Sequence, residues 1–212
     1  MKYKDEMVQK RVLPRRASSS TRLRETQGIE DVRLSNSHTV SMFYDYLDNQ
    51  DINSISLLIK ARFTKRFINP IRNSDMHGFT IMAICCLMIE SIQSFREGRR
   101  ESENVQNVFQ RFLEDSNSFN FSSSLAISIY SGIRNGILHQ AETKNGWKIT
   151  RRGVNLVDEQ TKTIDAVLFS SILIKYFESY CSELGQSEWQ SDLAQNAVRK
   201  MKSIVRNCRV TL

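Results

Sequence analysis

Residues 79–97, FTIMAICCLMIESIQSFRE, constrain this chain more than any other stretch. Apolar residues occupy most of the circumference of a helix built from them, so the helix has to be enclosed by others. Gly98 follows as a terminator, with Arg96 in the final turn. The uninterrupted apolar run covers residues 81–89 and stops at Glu90, well short of the roughly 20 residues that cross a bilayer. Only 8 Gly and 2 Pro in 212 residues leave too few turns for an all-β chain. Helix is the default.

Residues 1–37 are basic, polar and almost free of aromatic side chains. Such a segment cannot bury enough apolar surface to offset chain entropy, and it reads as a flexible or partner-ordered arm. A solvated tail is the simpler account of its charge, and a role on RNA or on a protein is the other. His38, at its end, carries no argument. Residues 38–77 read as a helical extension. Met42, Phe43, Tyr46 and Leu47 lie at helical spacing, as do Ile55, Leu58, Ile59, Phe63 and Phe67 beyond an Asn/Asp break at 48–53. NPIRNSDMHG is expected as a loop, with His77 a surface residue.

Residues 78–212 then read as a helical bundle. After the apolar helix comes an amphipathic one carrying Val105, Val108, Phe109 and Phe112. Leu125, Ile129, Ile133 and Ile137 recur at intervals of four along residues 124–141. A small β-hairpin is expected near 147–157, pairing 147–150 with 154–157, because Asn-Gly, Arg-Gly and alternating residues mark it. Two more helices close the chain. The expected fold is all-α: an antiparallel up-and-down bundle with a four-helix core, extra terminal helices and the hairpin insertion.

Lys and Arg number 30 against 23 Asp and Glu, a net charge of +7, with a pI near 9.4. That surplus suits a polyanionic partner, RNA first. Cys85, Cys86, Cys181 and Cys208 form no C-x-x-C pair, and no Cys/His cluster has the spacing of a metal site. Reduced thiols, no metal, no cofactor, no membrane association and a cytoplasmic location are the expectations. The opening residues lack the apolar core of a secretory signal.

The stretch YSGIRNGILHQAETKNGW, residues 130–147, carries the chemistry. Arg134 offers a permanent cation whose planar fork fits phosphate oxygens. His139 titrates near neutral pH and can take or give a proton. Asn135 supplies an amide that orients a hydroxyl or a neighbouring side chain, and it shares a helix face with His139 four positions on. Gly136 is expected to leave open space between the two. Base, cation and acid together suffice for in-line attack of a 2′-OH on the adjacent phosphate. One helix supplies one imidazole, so two copies facing each other across a two-fold axis would complete the set.

RNGILH resembles the R-N-x-x-x-H signature of the HEPN superfamily, all-α domains that include metal-independent ribonucleases of toxin–antitoxin, abortive-infection and CRISPR systems. The similarity spans roughly residues 78–184, and the wider context resembles that of uncharacterised bacterial HEPN-like proteins. It implies a four-helix core, a homodimer through the motif helices, and RNA cleavage that leaves a 2′,3′-cyclic phosphate. Arg134 and His139 are then the catalytic positions and Asn135 their auxiliary, and an antitoxin or defence-system protein is an implied partner. A HEPN-type binding or assembly module without turnover, and an unrelated helical bundle, are the other readings. Glu90 is a candidate to orient Arg134 across the bundle or a solvated edge residue. Trp147, Lys148, Arg151 and Arg152 could stack on a base and hold phosphates, although a Trp packed on the bundle beside a solvated basic turn is the simpler account.

Overall fold

The computed structural model describes residues 32–72, 77–99, 104–116 and 118–208. Residues 32–37, the described end of the expected arm, are folded onto the rest. Residues 32–39 turn back on themselves through a β-bridge between Arg33 and Thr39. Leu34 is fully buried, and its carbonyl accepts a 2.6 Å bond from Arg62 Nη1. The boundary expected at residue 37 therefore falls too late, because one apolar side chain and one buried cation anchor the preceding turn. The rest of the expected arm, residues 1–31, lies outside the described residues.

Helix α1 (Val40–Asp48) starts on Thr39, whose hydroxyl accepts from Met42 N–H. Helix α2 (Ile52–Phe63) starts on Asp51, whose carboxylate takes both the N–H (2.9 Å) and the hydroxyl (2.6 Å) of Ser54. A π-helical turn, Thr64–Ile68, then joins α2 to α3 (Asn69–Arg72). The loop expected from Asn69 is therefore helical over residues 69–72, and its continuation over 73–76 lies outside the described residues. The wide turn already interrupts the regular hydrogen-bond ladder where Pro70 has no N–H to give.

Helix α4 (Gly78–Glu97) ends at Gly98 in the left-handed region, φ 64°. It buries Ile81, Met82, Cys85, Cys86, Met88, Ile89, Ile92 and Phe95. By length and composition it could cross a membrane, with a mean hydropathy of 1.6 over its best window, which the apolar run alone did not suggest. Half of that window is buried inside the structure, against α8 (Ala166–Gln186) and α9 (Asp192–Asn207). It is the central helix. Between these lie α5 (Val105–Asp115), α6 (Ser123–Ile129), a second π-helical turn (Tyr130–Arg134) and α7 (Asn135–Gln140).

Three short strands replace the expected hairpin: β1 (Lys148–Thr150), β2 (Val157–Asp158) and β3 (Thr163–Asp165), in the order β1-β3-β2. β1 runs parallel to β3, with Ile149 opposite Ile164. β2 pairs antiparallel with β3, placing Val157 opposite Ile164. Residues 147–150 and 154–157 therefore do not pair with each other. The reason is Asp165, which is fully buried. One of its oxygens caps α8 through the N–H groups of Val167 and Leu168 (2.9 and 2.8 Å), and the other accepts from Gly153 (2.7 Å). Gly153, at φ 69°, turns the chain there.

The molecule is dominantly helical, as the breaker-poor sequence requires. Its helices do not simply alternate in direction. Gly78, which opens α4, packs on Ile149 and on Ala166, which opens α8. Near the other end of α4, the Arg96 guanidinium lies 5.6 Å from the Tyr180 ring centroid. α4 and α8 thus run in the same direction. α2 runs against α8: Ser56 donates to the Cys181 carbonyl at 2.6 Å, and Phe63 stacks on Phe177 at 4.4 Å. Residues 141–165, sheet included, carry the chain back to where α4 begins.

Candidate functional site

The motif residues straddle the second π-helical turn. Ser122 caps α6 by accepting from Leu125 N–H. The ladder then widens, and Asn135 N–H bonds to the Tyr130 carbonyl five residues back. A π turn holds one residue more than an α turn, and such bulges recur where a side chain must be re-aimed. Here the bulge keeps Ile129 and Ile133 fully buried on the core face, while Arg134 turns towards α4.

Arg134 is held from three sides. Its Nε donates to Glu90 Oε1 at 2.8 Å and its Nη1 to Asn135 Oδ1 at 3.1 Å. Its guanidinium carbon lies 5.5 Å from the Tyr130 ring centroid, within cation–π range. The two side chains of the ion pair are only 13% and 17% exposed, so little water competes with the bond. The contacts use two of the five N–H bonds of a guanidinium, and the remaining three are enough for a bidentate grip on a phosphate. Below the pair, burial first and the Glu90 charge second push the Cys86 thiol up to about 12, against a smaller opposing pull from Arg134. Cys86 is therefore a packed thiol and not a nucleophile.

His139 stands exposed in the last turn of α7, next to its left-handed terminator Ala141 (φ 55°). Asn135 lies one turn earlier on the same face. Gly136 does not leave the expected open space. A Cβ there would meet the Glu142 carbonyl oxygen at 2.5 Å and Thr143 Cα at 2.9 Å. Residues 141–147 fold back along the helix, with Lys144 N–H bonded to the Gly132 carbonyl at 2.8 Å. The missing side chain at Gly136 lets this backbone lie directly against the helix.

That loop also settles where Trp147 goes. The ring is 4% exposed, rests on Gly132, where a Cβ would stand 2.1 Å from its Cδ1, and donates from Nε1 to Ser128 Oγ at 3.1 Å. No ring face is left for a base. Lys148, Arg151 and Arg152 are exposed, but they do not form one patch. Lys148 and Arg152 border a groove on the sheet with Asp158, whereas Arg151 faces a separate cavity with Arg72 and Glu178. His38 bonds through Nδ1 to Ser35 and Ser37, and His77 is an exposed residue ahead of α4. Neither approaches the motif through any contact among the described residues. Among those residues no group of His, Cys, Asp and Glu gathers as a metal site.

Tyr130 was legible and overlooked. It precedes Arg134 by four positions, the spacing that stacks an aromatic ring under a cation on one helix face. No protein-family model matches this chain, and no curated protein or solved structure does either.

Proposed function

We propose that this chain is a HEPN-type endoribonuclease that cleaves RNA without a metal, acting as a homodimer through its motif helices. The observation that carries this is the fixed Arg134 guanidinium, bonded by Glu90 and by Asn135, which stands one helical turn before an exposed His139. In the reaction, a neutral His139 takes the proton from a ribose 2′-OH. The O2′–P bond forms, the Arg134 cation offsets the extra negative charge on the phosphorane, and the P–O5′ bond breaks. A protonated imidazole, supplied by His139 of a second copy, returns a proton to O5′. The products are a 2′,3′-cyclic phosphate and a 5′-hydroxyl. The half-exposed apolar residues Ile127 and Leu138 on the motif helix, with Leu87 on α4, supply apolar area for pairing two copies. Toxin–antitoxin or antiphage defence is the setting such an activity fits.

The 13% exposure of Arg134 favours a second reading, in which its bond to Glu90 is architectural and the domain binds or assembles without turnover. Purified protein is incubated with total RNA in EDTA beside Arg134→Ala and His139→Ala, and its mass is followed by sedimentation. The nuclease reading expects a dimer, cyclic-phosphate ends with the wild type, and a loss on the order of a hundredfold or more in each variant. RNA binding without cleavage selects the second reading.

A further inference from the structure

A cleft of about 450 Å³ opens beside the motif, between the α2–π-turn segment, α4 and α9. Its size lies within the range of roughly 300–1,000 Å³ typical of small-molecule sites. Three cations border it: Arg62 and Arg66, one turn apart, and Lys200 from α9. The one carboxylate on its wall is Glu90, already occupied by Arg134. Phe67 and Phe95 supply an aromatic side.

The charge arrangement is costly as it stands. Arg62 is 9% exposed, and its Nη1 donates to a neutral carbonyl, that of Leu34. Burial first, and then the neighbouring charge of Arg66, bring its pKa down to about 10. Neither arginine pairs with a carboxylate among the described residues. Like charges around a concave, partly dry wall repel one another, and an anion placed among them removes that penalty. An aromatic wall beside a cationic rim matches one ligand chemistry in particular, a phosphate carrying a flat ring.

We propose that this cleft holds a nucleotide of single-stranded RNA next to the scissile phosphate, with the phosphate on Arg66 and Arg62 and the base along Phe67. Glu90 connects the two places, since it lines the cleft and holds Arg134. A strand lying in the cleft is thereby led to the motif. This assignment rests on the ribonuclease reading for its ligand, and on the cleft for its location.

The test uses the full chain carrying His139→Ala, so that RNA is bound and not consumed. A fluorescent single-stranded RNA of about 10 nucleotides is titrated at several salt concentrations by anisotropy, with and without Arg66→Gln and Arg66→Lys. Arg66 is exposed, so both variants should fold, and thermal unfolding checks that they do. Losing one phosphate contact should cut the salt slope by about 0.7 and weaken binding about fivefold near 0.1 M salt. Arg66→Lys should keep both. Unchanged affinity and slope in Arg66→Gln overturns the cleft assignment, even where wild-type protein cleaves RNA. Arg66-dependent RNA binding without wild-type cleavage keeps the cleft and removes the nuclease. Binding of adenosine monophosphate but not of the strand also overturns the proposal, by giving the cleft to a free nucleotide.

Discussion

Replacing Gly136 by alanine should destabilise the protein, although the same change is usually welcome in a helix. Gly136 sits in α7 with ordinary helical φ, so propensity alone would gain about 1 kcal/mol. Against this stand three contacts with backbone atoms: the Glu142 oxygen at 2.5 Å, Thr143 Cα at 2.9 Å and Lys144 N at 3.0 Å. None belongs to a side chain that could rotate away. If the loop stays, overpacking costs about 1–3 kcal/mol. If it lifts, the Lys144–Gly132 hydrogen bond goes, worth about 1 kcal/mol, and part of the burial of Trp147 goes with it, about another 1–2 kcal/mol. The 2.5 Å approach to a backbone oxygen puts the first route in the upper part of its range, about 2–3 kcal/mol, so either route outweighs the gain, for a net loss of about 1–2 kcal/mol. In a chain of this length that lowers Tm by roughly 2–8 °C. Gly185 in α8 provides the contrast. A Cβ there meets only side chains, Asn53 Oδ1 at 3.0 Å and Ser56 at 3.6 Å, and Asn53 is exposed and can swing aside. Gly185→Ala should therefore raise Tm by about 1–4 °C. Far-ultraviolet circular dichroism during heating, at one fixed protein concentration, reads both variants. Opposite signs are expected; a Gly136→Ala protein as stable as the Gly185→Ala one would mean that residues 142–144 do not rest on the motif helix.

Glu90→Gln keeps an oxygen for Arg134 Nε but removes the charge from a poorly hydrated pair. Urea unfolding should show a loss of about 1–2 kcal/mol, and an unchanged midpoint would show that the pair adds nothing. Asp51 gives a pH signature. The Ser54 hydroxyl and then the Ser54 N–H hold its carboxyl below the ordinary 3.8. Its contribution to α2 is therefore present above that value and is lost as acid takes the pH down through the lower, folded one. Asp51→Asn caps the helix without titrating, so its stability deficit against the wild type should shrink between about pH 5 and pH 2. A deficit constant over that range would contradict the capping bond.

What the sequence disclosed follows from which forces are local. Helical periodicity and scarce breakers made the helices legible, and the unbroken apolar surface of residues 79–97 identified the central one. The sheet was half legible. Asn-Gly and Arg-Gly mark turns, but the partner of β1 depends on Asp165, whose two oxygens bind groups twelve residues back and two to three residues ahead. No pattern of alternation encodes that choice. The two π-helical turns were invisible for a related reason, since a bulge is selected by what its side chains meet across the bundle.

The site divides along the same line. Arg134, Asn135 and His139 could be picked out because their chemistry is written into six consecutive residues. Glu90 could be nominated because a carboxylate on an enclosed helix needs a counter-charge. Gly136 was read as empty space when it is a landing place for the returning loop, a difference that only the path of residues 141–147 decides. Arg62 and Arg66 escaped notice for the opposite reason: on a helix rich in charge they look like ordinary surface residues. It is the packing of α9 over α4 that forms a shared cleft beside them. Spacing along the chain thus identified the groups that could react, whereas the groups that could receive a strand came from three separate helices and became visible only once those helices were packed.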